Sequence, residues 1–421
     1  MTSKNKTFLL ICLATSSFLA PATIAQAGDS SDFIKKGTFY GDIRYRYETV
    51  DQDGPAPVTA EAHASTLRVR TGFKTGVYQN FQALIEGDFV ANLGDGDYND
   101  GLNGRTQYPT IADPETEELN QLWLSWTGLP ETTIKAGRQI INLDNQRFIG
   151  SVGWRQNDQT FDALSIENKS IKDLSLMYAY IRTVNRIYGT DHSQGNWDGP
   201  VHIAHATYAH APWLNLTGYG YWMDFELAPT SSSRTLGLRL TGETPLSDSW
   251  KLAYEAEAAT QSDHGNNTAN YDESYYYLSP ALKYGGWTLG MGYESLGGDG
   301  TSAFQTPLAT LHAFNGWADK FLTTPANGLE DKYAKVSYKV NGAGAWLDNT
   351  VLDLVYHDYD AEDTSSDYGS EWNLQASRTF KTEDSTYPFK EWSVSIKYAD
   401  YDADDLYTDT EKLWLTLGTK F

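Results

Sequence analysis

Hydrophobic and polar residues alternate one for one along most of this chain. At its C-terminal end Leu413, Leu415, Leu417, Thr419 and Phe421 share one parity, and Lys412, Trp414, Thr416, Gly418 and Lys420 the other. A period of two puts the two sets on opposite faces of an extended strand. The first strands read the same way. Phe39, Gly41, Ile43, Tyr45 and Tyr47 alternate with Asp42, Arg44, Arg46 and Glu48. Leu67, Val69, Thr71 and Phe73 alternate with Arg68, Arg70 and Lys74, and Phe81, Ala83, Ile85 and Phe89 with Gln82, Glu86 and Asp88.

Eighteen such segments are predicted: 38–49, 65–75, 80–92, 118–127, 132–141, 159–167, 173–183, 201–210, 214–225, 233–243, 250–260, 272–283, 287–296, 329–340, 348–358, 369–380, 390–400 and 410–421. Their connections alternate between long and short. Polar stretches at 50–64, 93–117, 184–200, 261–271 and 297–328 are long, whereas turns near Gly76, Gly128-Leu129-Pro130, Lys169, Ala211-Pro212, Gly285-Gly286 and Asn341-Gly342 are tight. A tilted strand of about ten residues spans a bilayer. A transmembrane barrel has short periplasmic turns and long external loops, a rhythm that a soluble sandwich has no reason to keep. A sheet with one solvated face would account for three strands, but not for eighteen with no second apolar face to pack against. The expected fold is an all-β, transmembrane antiparallel β-barrel of about 18 strands. Its lumen is polar, because burying the inner charges in a dry core would cost several kcal/mol each unless they were paired.

Composition agrees. There are 13 Trp, 28 Tyr and 16 Phe, the residue types that sit at both membrane interfaces. After the first 27 residues no run of about 20 apolar residues occurs, so no helix is expected to cross a membrane. Residues 1–27 read as a cleaved signal peptide. Lys4 and Lys6 precede an apolar core from Phe8 to Ala20, and Ala25-Gln26-Ala27 forms the cleavage site. Residues 28–421 then form one barrel domain, without a linker. Loss of the signal removes Cys12, the one cysteine, and leaves 30 basic against 55 acidic residues, a formal charge of −25. A cysteine-free secreted chain has no disulfide framework and must be stabilised by size or by closure.

Against that acidity, the cations on the inner faces stand out. Arg44, Arg46, Arg68, Arg70 and Lys74 oppose Glu86 and Asp88 on neighbouring strands, where facing residues lie within about 5.5 Å. One reading is an electropositive track that attracts an anionic solute, moderated by its acidic partners. The other is a self-neutralised wall that holds the barrel's shape. The acidic residues cluster in the loops, where divalent cations could bridge them to lipopolysaccharide or water alone could solvate them. Asp95 to Gly101 invites a calcium reading; its glycine and the residue at Thr106 depart from the helix-loop-helix pattern, which leaves a loose calcium loop as the minor alternative to a solvated one. His202 and His205 differ in parity, and His202 and His210 are separated by about 27 Å of strand, at roughly 3.4 Å per residue. They do not form a metal set. There is no nucleophile elbow, phosphate loop or metalloprotease motif. An outer-membrane hydrolase is therefore the weaker alternative, no cofactor is expected, and the net charge argues against nucleic acid.

The segment 136–163 carries Gly137-Arg138-Gln139, Asp144, Arg147-Phe148-Ile149-Gly150, Trp154-Arg155-Gln156 and Phe161-Asp162-Ala163. This run resembles the alginate-export family of outer-membrane porins. The resemblance implies an 18-stranded barrel, an arginine-lined constriction for an anionic polyuronate, and a place near the pore for Arg138, Arg147 and Arg155. A terminal strand ending in Phe421 is similar to those that outer-membrane assembly machinery recognises. The expectation is an outer-membrane porin passing anionic poly- or oligosaccharides by facilitated diffusion, in contact with lipid and lipopolysaccharide. A general porin for other small nutrients is the alternative. Whether loop 297–328 folds into the lumen is left open.

Overall fold

The computed structural model describes residues 30–54, 56–344, 346–382 and 388–421. The expected signal peptide lies outside these residues. A short helix, α1 (Asp32–Lys35), precedes eighteen strands: β1 (Thr38–Gln52), β2 (Ala62–Lys74), β3 (Phe81–Asn92), β4 (Thr116–Leu129), β5 (Thr132–Gln139), β6 (Thr160–Ile171), β7 (Leu174–Asn185), β8 (Asn196–Ala211) and β9 (Leu214–Met223) form the first half. The second half is β10 (Ser233–Pro245), β11 (Trp250–Asp263), β12 (Asp272–Tyr284), β13 (Trp287–Leu296), β14 (Leu329–Lys339), β15 (Val351–Asp360), β16 (Asp367–Lys381), β17 (Glu391–Asp402) and β18 (Thr410–Lys420). Each strand pairs antiparallel with the next, and β1 also pairs with β18, so the sheet closes and no edge is left unpaired. At the seam Asp42 faces Lys420 and Gln52 faces Thr410. The backbone of Phe421 extends the seam by exchanging hydrogen bonds with Gly41, 3.0 and 3.1 Å.

The alternation sorts the faces as expected. Leu413, Leu415 and Leu417 are exposed on the outside, whereas Lys412 and Trp414 are buried inside. Phe81, Ile85 and Phe89 point out, and Glu86 and Asp88 point in and are buried. The exposed apolar band continues through Leu122 and Leu124, Leu236 and Leu238, Leu352 and Leu354, and Val394 and Ile396. Aromatic pairs cluster at the short-turn end, where Phe39 meets Phe73, Phe81 meets Trp126, Trp250 stacks on Tyr284 at 4.7 Å and Trp287 meets Tyr338 at 4.3 Å. This is the girdle that an interface between hydrocarbon and water favours.

Two of the long connections turn inward. Loop 140–159 joins β5 to β6, and loop 297–328 joins β13 to β14. Both carry apolar residues that a solvated loop could not hide. Phe148 packs among Tyr219, Tyr275 and Phe304 at 5.2 to 6.0 Å, and Phe321 lies 4.5 Å from Tyr359. Ile149, Phe304 and Leu308 are fully buried. The barrel thus has an internal apolar core, on the far side of the sheet from the lipid. Each fully buried side chain of this size contributes about 1.5–3 kcal/mol.

Candidate functional site: the luminal partition

The two inward loops are fastened to one another. Gly150 N–H donates to Leu308 O at 2.9 Å, Thr310 N–H to Gln146 O at 3.0 Å, and the Thr310 hydroxyl to Gln146 Oε1 at 2.7 Å. Gln159 Nε2 reaches Leu308 O at 3.1 Å. Trp154 stacks on His312 at 3.9 Å with the planes 7° apart. Together they form one partition across the lumen, anchored to the wall on both sides.

The arginines singled out by alternation hold its near side. Arg44 donates to Gln156 Oε1 at 3.0 Å, Gly153 O at 2.8 Å and Arg155 O. Arg46 donates to Trp154 O at 2.7 Å and lies 4.0 Å from the Trp154 ring. Arg68, opposite Arg44 in register, pairs with Asp42 and reaches Gln156 O. Arg70 grips Asp88 through two 2.5 Å bonds and Asp158 at 2.9 Å. Glu86 accepts from Tyr40, Asn120 and Gln121. These six inner-face residues lie close together on the wall, and the four arginines serve mainly as clamps on loop 140–159. Among the described residues Arg44 makes no ion pair.

Arg138 lies on the inner wall in a two-pronged pair with Asp162, 2.8 and 3.1 Å. Arg147 and Arg155, expected near the pore, lie on loop 140–159. Both are buried in the partition. Arg147 binds Glu294 at 2.7 Å, Thr306 and Asn315. Arg155 binds Glu48 at 3.1 Å and contacts Asp113 and Asp319. Their physical role is to neutralise buried carboxylates of the wall (Glu48, Glu294) and of neighbouring loops (Asp113, Asp319), since a lone buried charge costs several kcal/mol.

The far side is held from β16 to β18. Glu371 accepts the backbone N–H groups of Trp317 and Ala318, 2.5 and 2.9 Å. Lys397 donates to His312 Nε2 at 2.7 Å and sits 3.7 Å from the Trp317 ring and 4.4 Å from Trp154. The Asp319 carboxylate can only accept, so Nδ1–H of His312 donates to it across 2.7 Å, which leaves Nε2 facing Lys397 on a neutral ring. Burial, with help from Lys397, pulls it down to about 3 against the raising influence of Asp319. Burial alone would raise Asp319, but His312, Lys412 and Arg155 outweigh it and hold the carboxyl well below its usual range. Nothing in the alternation marks His312, which sits in a loop of mixed composition.

Above the partition, the external loops enclose a cavity of about 540 Å3 that includes Arg186, Trp197, Tyr271 and a series of Ser and Thr residues. Arg186 also lines a much narrower cleft of about 20 Å3 bordered by Asn120, Arg138 and Asn185 and by the carboxylates of Asp88, Glu118 and Asp158, none of which pairs with Arg186 among the described residues. That volume is about what a single water needs. Neither Arg186 nor Trp197 was legible as a site residue, because both sit where strand alternation gives way to loop. His205 joins Asp144 of loop 140–159 at 2.8 Å, and His202 bonds Tyr178 in a separate contact at 2.7 Å, so the two histidines diverge as their parity requires. In the stretch read against calcium, Asp97 pairs with Arg105 at 2.9 Å and Asp100 caps the backbone of Leu102 and Asn103.

A closed 18-stranded antiparallel barrel with an apolar exterior is the fold of outer-membrane porins. Similar solved structures include Acinetobacter baumannii OccAB2 (TM-score 0.72, 16% identity, 93% of this chain and 99% of that one). A BenF-like porin from Pseudomonas fluorescens Pf-5 matches with TM-score 0.72 and 16% identity over 92% and 100% of the two chains. Pseudomonas aeruginosa OpdK, in a structure with vanillate, matches with TM-score 0.70 and 15% identity over 92% and 99%. No family model matches the chain, and no curated protein does. The solved relatives share the barrel at identities that speak for fold alone, and none of the comparisons supports the resemblance to the alginate-export family.

Proposed function

We propose that this chain is an outer-membrane channel that passes small anionic solutes by facilitated diffusion, hydroxylated acids and short uronic-acid oligosaccharides among them. The observation that carries this reading is a sealed barrel, apolar outside, whose lumen is narrowed by a fixed partition flanked by arginines. Arg44, Arg70 and Arg138 retain partial exposure; Arg44, without an ion pair among the described residues, offers the solute a cation, while Asp88 and Asp162 temper Arg70 and Arg138 so that binding stays weak enough for release. The vestibule volume falls in the range of small-molecule sites, roughly 300–1,000 Å3. The structure of OpdK with vanillate is in keeping with a small acid. Passage of a polymer such as alginate is the more demanding form of the same idea. It draws on the similarity over 136–163 and requires the partition to yield. Phe421 at the seam is the feature that assembly machinery would read.

The test is ion selectivity and solute block in planar bilayers. Anion preference, with block by galacturonate, is expected. Block by long polyuronate would extend the reading to polymer. Cation preference without block by either would refute it.

A further inference from the structure

The outer cavity has a composition at odds with the rest of the molecule. The chain holds 55 acidic residues, yet among the described residues no carboxylate lines this space. Its one charge is Arg186. That guanidinium lies 3.9 Å from the Trp197 ring and 5.3 Å from Tyr188. Among the described residues it has no ion pair and no side-chain hydrogen bond, although it is more than half buried. Trp197 is fixed in turn by Gln194, which accepts its indole N–H at 2.9 Å, and by Phe225 at 5.1 Å. The arginine is thus positioned by aromatic rings on rigid neighbours, with its donors unspent. The wall also presents hydroxyls of Thr230, Ser231, Thr268, Ser302 and Thr323. Among the described residues none of these hydroxyls is engaged by another protein group.

A half-desolvated cation costs free energy until an anion meets it, and a planar guanidinium meets a carboxylate with two parallel bonds. Hydroxyls that bond no protein partner reward a ligand with several hydroxyls of its own and penalise a bare hydrocarbon. From this we infer that the outer cavity is a capture site for a small polyhydroxylated monoanion, a sugar acid or hydroxy acid, with Arg186 as its specificity-determining residue and Trp197 as the residue that positions it. The site holds the solute above the partition, before the narrow cleft that Arg186 also lines. This inference rests on the proposed channel function for its purpose, but not for its chemistry.

Gluconate, glucose and hexanoate, which share size but divide charge from hydroxyls, test it. Added at the long-loop side of single channels, gluconate is expected to block at least about tenfold more tightly than the other two. Arg186→Gln raises its half-blocking concentration by at least about tenfold, and Arg186→Lys by less, because the two-pronged contact is lost while the charge remains. Heat-modifiable gel mobility checks that each variant retains its barrel. Currents with an unchanged gluconate block in Arg186→Gln would overturn the site and leave the channel standing. Absence of any current would instead overturn the channel, and calorimetric titration of gluconate into wild type and Arg186→Gln in detergent would then decide the site: tenfold weaker binding to the variant supports it, equal binding overturns it.

Discussion

Trp154 and His312, one from each inward loop, lie face to face at 3.9 Å and so couple the two loops more directly than any other pair of rings. The indole also lies beneath Arg46 and Lys397, at 4.0 and 4.4 Å. A stacked pair contributes about 0.5–1.5 kcal/mol beyond its buried area, and each cation over a ring about 0.5–2 kcal/mol. Trp154→Ala should therefore weaken seating of the partition by about 2–4 kcal/mol. Larger, noisier single-channel conductance with an intact barrel on gels is the expected outcome. Unchanged conductance would mean that the partition is held elsewhere.

The same histidine predicts a pH response. Seated, it titrates at about 3, whereas a freed imidazole titrates near 6.5. Between those values the displaced loop binds a proton that the seated loop refuses. Seating is therefore fully favoured above about pH 6.5 and weakens as pH falls toward 3. Asp319, also held low, acts in the same direction in stronger acid. Open-channel noise should rise reversibly as pH is lowered from 7 to 4, and His312→Asn should flatten the part of that profile above pH 4.

Arg147 and Glu294 form a buried pair at 2.7 Å between loop 140–159 and the wall. Arg147→Met leaves the Glu294 carboxylate without its cation and should cost about 3–5 kcal/mol of partition stability. The double change Arg147→Met with Glu294→Met removes both charges and should recover most of that loss. Protease cleavage within loop 297–328 is the measurement: fast in the single variant, slow in the double. Equal cleavage in both would contradict a neutralising role.

At the seam, a Cβ on Gly41 would collide with the Phe421 ring and with the Arg70 carbonyl. Gly41→Val should strain closure by about 1–3 kcal/mol, as overpacking does elsewhere. Folding into detergent or lipid, followed by heat-modifiable mobility, should give a lower yield and a lower melting step. Gly41→Val with Phe421→Ala should relieve the part due to the ring.

The barrel was almost wholly legible from alternation, because strand residues obey a period that lipid on one side and water on the other enforce. Leu413, Trp414 and Leu415 lie where parity puts them. The partition was not legible. Phe148, Ile149 and Trp154 are apolar residues in a segment without alternation, and their partners Tyr219, Tyr275 and His312 come from strands and loops far away in sequence. Inward folding depends on long-range packing that no local period encodes. The arginines were found for the right reason, their inner-face parity, but parity cannot tell a cation that greets a solute from one that grips a loop. Arg46 and Arg68, which hold the Trp154 and Gln156 carbonyls, do the second.

The neighbours of β1 are the second strand and the last. Asp42 and Lys420, at opposite ends of the sequence, must find each other before the cylinder exists. Loop-closure entropy makes such distant pairings the slowest to form. The polypeptide must then travel with its first strand half-satisfied, and the final turn of the zipper waits for the last few residues to arrive.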